Sequence, residues 1–147
     1  VRLLKQSSPQ CLLYAFAMLL DADPDELIQE IGHDGLEVWW DVVGNSRLRG
    51  FHPQELIDCA VARDIPIMTI EVLPCHQNPE GGPPKLVQSP DLCCERLQVY
   101  LGLYSGVLTN TTHAVAWDHK ESKIYDPNGR IIDYQDFPMN YFFARVN

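Results

Sequence analysis

The chain has 147 residues, enough for one domain with a real hydrophobic core, and its 46% hydrophobic and 21% charged residues are ordinary for a water-exposed globule. A net charge of −9 argues against nucleic acid and against an anionic membrane surface, because both would repel it. No apolar run reaches the roughly 18 residues of a membrane span, and no charged-then-apolar leader is visible.

The chain starts at Val1 rather than Met, so processing or excision from a longer protein is expected. Five cysteines, an odd number with two adjacent (Cys93 and Cys94), do not make a disulfide framework. A reducing, cytoplasmic compartment is the expectation.

In chain order, the first predicted helix starts at Cys11 and runs to Leu20. Leu12, Leu13, Phe16, Leu19 and Leu20 share one broad face, and Ala15 and Ala17 permit close packing elsewhere. Asp23-Pro24-Asp25-Glu26 starts a second helix, with Asp23 as N-cap and Pro24 at the first helical position, and Gly32 ends it. A loop carrying Trp39, Trp40 and Gly44 follows, and the tryptophans are expected in the core or at its edge. Phe51-His52-Pro53 opens a third helix through Val61. Pro66–Val72 reads as a strand of alternating β-branched residues.

Residues 74–90 hold five prolines and Gly81-Gly82, and predict a long loop. A short helix is expected over Asp91–Tyr100. The remainder predicts an antiparallel meander: Gly106–Asn110, His113–Asp118, Lys123–Asp126, Arg130–Tyr134 and Tyr141–Val146. The expected fold is α+β, a single domain over 1–147, with the N-terminal helices packed on a C-terminal antiparallel sheet.

Chemistry centres on Cys11. A helix N-terminus carries about half a positive charge and unpaired N–H groups, which favour a thiolate. An imidazole is needed to pair with it and to protonate a leaving group. Among five histidines, His33 and His76 sit in loops, His52 starts a helix, and His119 lies in a hairpin turn, expected to be exposed. His113 begins a strand after the polar run Asn110-Thr111-Thr112, where it can project into a cleft. A hairpin turn at His119–Ser122 sets the next strand so that Asp126 lies close to opposite His113. Asp126 can therefore orient the imidazole, with Asn128 as the second candidate. The backbone N–H of Cys11 and the side-chain amide of Gln6 are the expected oxyanion donors.

A zinc site from Cys75, His76, Cys93 and Cys94 fits no finger or ribbon spacing, so neither metal nor cofactor is expected.

Gln6, then Cys11 at the head of an apolar helix, then His113 on a late strand and Asp126-Pro127 one strand on, resembles the papain-like cysteine peptidases. Within them the chain looks most like the double-glycine (bacteriocin-processing, C39-like) branch. The stretch "LRGFHPQELIDCAVARDIPIMTIEV", residues 48–72, looks like that branch's middle helix and strand. The stretch "THAVAWDHKESKIYDPNG", residues 112–129, looks like its histidine strand, turn and Asp-Pro. The Josephin deubiquitinases share the layout. Leu12 stands where the double-glycine branch usually has glycine, and Gln6 is one residue nearer the cysteine than is common. The resemblance implies a papain-like fold, a Cys11–His113–Asp126 triad, and hydrolysis of a peptide or isopeptide bond in a protein or peptide substrate, after Gly-Gly in both relatives. An inactive module that binds a peptide or protein partner, and an acyl transferase on the same fold, are the alternatives.

Overall fold

The computed structural model describes residues 1–72, 95–133 and 139–147. Among these the elements run α1 (Cys11–Leu20), α2 (Pro24–Ile31), β1 (Val38–Trp40), β2 (Ser46–Leu48), α3 (Pro53–Val61), β3 (Ile67–Glu71), α4 (Glu95–Leu103), β4 (Gly106–Thr109), β5 (Ala114–Asp118), β6 (Lys123–Asp126), β7 (Arg130–Asp133) and β8 (Tyr141–Arg145). The class is α+β. One antiparallel sheet has six strands in the order β3-β8-β4-β5-β6-β7. The long loop expected at 74–90 lies outside the described residues, as do Cys75, His76, Cys93 and Cys94.

The expected meander holds through β4-β5-β6-β7 and then breaks. The last strand does not pair with β7. It returns to the far side of β4, with Val107 opposite Phe143 and Leu108 opposite Phe142, and also pairs with β3. In that central position β8 buries Phe142, Phe143 and Ala144 and completes the pairing on both of its sides.

Both faces of the sheet are covered. On one, Leu13, Phe16 and Leu19 of α1 pack with Leu27 of α2, Leu56 and Ala60 of α3, and Val107, Ala114 and Phe143 of the sheet. Alternation sends Leu108, Val115, Trp117, Ile124 and Phe142 to the opposite face, against Leu97 and Leu101 of α4. The Trp117 indole N–H donates to the Leu101 carbonyl at 2.8 Å and fixes α4 there. This second helical layer is described from Glu95 and ends at Leu103, later than the helix expected over Asp91–Tyr100, whose first residues lie outside the described ones.

Helix α1 is apolar almost all round, and Leu13 through Leu20 are buried except for Tyr14. Small residues on β5, Ala114 and Ala116, let it lie close across the sheet. Each large side chain so buried contributes about 1.5–3 kcal/mol. Helix α2 is capped as its sequence predicts: Asp23 accepts from the Asp25 N–H at 2.9 Å, and Gly32 ends it in the left-handed region at φ 93°.

The segment with Trp39 and Trp40 is not a core loop but a hairpin, β1–β2, with Val38 opposite Leu48 and Trp40 opposite Ser46. Trp40 is 69% exposed, and Trp39 lies under the guanidinium groups of Arg47 and Arg49. Three-residue strands have too little area to bury a tryptophan, so the aromatic rings stay outside.

Candidate active site

The sheet and α1 together bring Cys11 to His113. Cys11 is the first residue of α1, and its cap residue, Gln10, makes no side-chain cap bond to the helix. The Gln10 amide instead donates to the Asp34 carbonyl at 2.8 Å. The first N–H groups of α1 therefore stay available to an anion, and the Leu12 N–H bonds the Cys11 sulfur.

His113 lies just before β5, which starts at Ala114 rather than at the histidine. The turn in front of it is organised by Asn110. Its Oδ1 accepts from the Thr112 N–H at 2.9 Å, the Thr112 hydroxyl at 3.1 Å and the His113 N–H at 2.8 Å. The Asn110 N–H donates back to the His113 carbonyl at 3.0 Å. This Asx-type turn leaves the imidazole little freedom at its root. Sequence reasoning did not assign Asn110 a role; the signal was an asparagine two residues before a threonine in a polar turn.

The imidazole bridges two groups. Its Nε2 donates to Oδ1 of Asp126 at 2.8 Å. A second side-chain hydrogen bond joins the ring to Cys11, which leaves Nδ1 for the sulfur. Asp126 does not sit opposite His113. The β5–β6 register pairs Ala116 with Tyr125, so its continuation sets Asp126 opposite Val115. The imidazole reaches the carboxylate diagonally, across a distance that long side chains span.

Asp126 is only 2% exposed and is well supplied with donors. Oδ1 also accepts from the Asn128 N–H at 2.9 Å, and Arg130 Nε lies 3.4 Å from Oδ2. Asn128, the second candidate, gives its backbone to Asp126 and its side chain to Gln6. Arg130 is a further residue that sequence reasoning missed.

Gln6 bonds at both ends of its amide. Nε2 donates to Asn128 Oδ1 at 3.1 Å, and Oε1 accepts from the Gln10 N–H at 3.0 Å. Its own N–H donates to the Pro127 carbonyl at 2.7 Å. Gln6 thus ties the start of α1 to the β6–β7 turn.

The electrostatics favour a charged pair. Burial opposes the Cys11 thiolate and is the largest single influence. The His113 hydrogen bond, the Ala114 N–H, the His113 charge and the Leu12 N–H outweigh it, and the thiol ionises below its ordinary range. The hydrogen bond to Cys11 raises His113 most; burial pulls it down, and Asp126 adds to the rise, so the imidazole holds its proton above its ordinary value. Burial likewise pushes the Asp126 carboxyl up, but the Asn128 N–H, His113 and Arg130 reverse this and hold it below the usual carboxylate range.

Cys11 and His113 open into a cleft of about 650 Å³ between the start of α1, the start of α3 and the ends of the sheet strands. The other described histidines are engaged elsewhere. His33 Nε2 lies 2.6 Å from Glu55, His52 caps α3 by accepting from the Gln54 N–H at 3.1 Å, and His119, half-buried rather than exposed, pairs with the Ser105 hydroxyl at 2.8 Å. Cys59 is a buried free thiol. Among the described residues no group of three or more His, Cys, Asp or Glu could hold a metal ion, and no helix is long and apolar enough to cross a membrane.

Comparison of the chain with family models, with curated proteins and with solved structures finds no match.

Proposed function

We propose that this chain is a papain-like cysteine peptidase that hydrolyses a peptide or isopeptide bond through Cys11, His113 and Asp126. The observation that carries this reading is the continuous hydrogen-bonded line from the Cys11 sulfur through the imidazole to a buried carboxylate, opening into a cleft.

The thiolate attacks the substrate carbonyl and forms a C–S bond. The carbonyl oxygen becomes an oxyanion, met by the Cys11 N–H at the start of α1 and by the second amide hydrogen of Gln6 Nε2. The imidazolium passes its Nδ1 proton to the leaving nitrogen as the C–N bond breaks. A water then attacks the thioester, giving its proton back to His113, and the acid leaves as the thiolate re-forms. Asp126 keeps the ring oriented and stabilises its charged form throughout.

The test is Cys11→Ala, which should abolish cleavage of a peptide library with the fold intact. Cleavage at the wild-type rate overturns the mechanism.

Two observations favour a second reading, a module that binds a peptide without cutting it. Leu12 lines the cleft beside the nucleophile, and one Gln6 amide hydrogen is already given to Asn128. Product formation over a single long incubation separates the two readings.

A further inference from the structure

The cleft differs in character from the rest of the chain. The protein has 11 basic and 20 acidic side chains, yet none of them lies among the described residues that line the cleft. One wall is apolar: Leu12, Phe51 and Ile57 are all half-buried, pack against the same core cluster, and turn their remaining surface to the cleft. The facing wall is polar but neutral, made by Thr109, Asn110–Thr112 and Asn140. Oδ1 of Asn140 already accepts from the Thr109 hydroxyl at 3.0 Å, so its N–H₂ group is the part that can meet a peptide carbonyl. At the rim, His52 uses Nδ1 as the cap of α3, which places the proton of the neutral ring on Nε2 as a second donor.

We propose that this cleft selects an uncharged peptide segment, with an apolar side chain seated on Leu12, Phe51 and Ile57 and the peptide backbone against the threonine–asparagine wall. The inference rests on the peptidase reading and names its substrate class. A charged side chain on the apolar wall would lose its water and find no Asp, Glu, Lys or Arg among the described lining residues to pair with, whereas a leucine or valine there exchanges water for packing. Donors on the facing wall match backbone carbonyls, which every peptide has, so selection comes from the apolar side.

The test uses peptidyl acyloxymethyl ketones, which alkylate a thiol without needing turnover, carrying Leu, Asp or Lys next to the reactive group. Labelling of Cys11 is followed by mass spectrometry. The Leu reagent should react at least tenfold faster than the other two, and Ile57→Lys should narrow the gap between the Leu and Asp reagents. A charged reagent that matches or exceeds the Leu reagent overturns the inference while leaving the peptidase reading in place. Uniform labelling at the rate of free cysteine removes both.

Discussion

Nε2 of His113 lies 2.8 Å from Oδ1 of Asp126, and that carboxylate is almost fully withdrawn from water. Three donors converge on it: the imidazole, the Asn128 N–H and Arg130 Nε. Asp126→Ala leaves all three without their acceptor, and should cost about 3 kcal/mol in urea unfolding. Asp126→Asn keeps the shape but loses the charge, and should slow alkylation of Cys11 by about tenfold. Unchanged stability in the alanine variant would show that the carboxylate is not the hub described.

The depressed Asp126 carboxyl also makes stability depend on pH. A group whose folded pKa is lowered contributes fully above its unfolded value, near about 3.9, and the contribution is lost as pH falls through the folded value. Wild type should therefore lose stability faster than Asp126→Asn on acidification below about pH 4. Parallel curves for the two proteins in acid unfolding would contradict this.

Asn110 holds the backbone that carries His113. Asn110→Ala removes one acceptor from three donors and should cost about 1–3 kcal/mol. Its alkylation profile should shift toward that of a free thiol, because the imidazole loses its fixed position. Asn110→Asp keeps an oxygen at the same place and should restore both properties. A merely structural role would change stability and leave the pH profile of Cys11 as it is.

Gly106 opens β4 where that strand lies against β8. A β-carbon there would overlap the Phe143 carbonyl and the Phe142 ring. Gly106→Ala should destabilise the protein by about 2–3 kcal/mol, because backbone in a central strand cannot move aside cheaply. By contrast, Trp40→Ser on the exposed hairpin should change stability by no more than about 0.5 kcal/mol. Thermal or urea unfolding of the two variants checks the contrast.

What could be seen in the sequence was local. Asp23, Pro24 and Gly32 each act on their own backbone, so the limits of α2 could be written down beforehand. Cys11 at the start of α1 was legible for the same reason. The path of β8 was not, because its place between β3 and β4 depends on which apolar faces meet, and no short-range signal records that. The diagonal reach from His113 to Asp126 hid for a related reason: hairpin pairing near His119–Ser122 fixes the register only to within a residue or two. The β1–β2 hairpin was missed because three-residue exposed strands carry no alternation. Its one sign was Asp41, whose Oδ1 accepts from the Val43 and Asn45 N–H groups around Gly44.

The central claim is that Cys11 and His113 form a reactive pair, and the most direct measurement is the rate of iodoacetamide labelling of Cys11 against pH. With the thiol lowered and the imidazole raised, the rate near neutral pH should exceed that of free cysteine. It should persist below the ordinary thiol range, and fall as pH drops through the Cys11 value. His113→Ala should return the profile to that of an ordinary thiol. A wild-type Cys11 that reacts no faster than free cysteine, with a profile that His113→Ala does not move, would contradict the account.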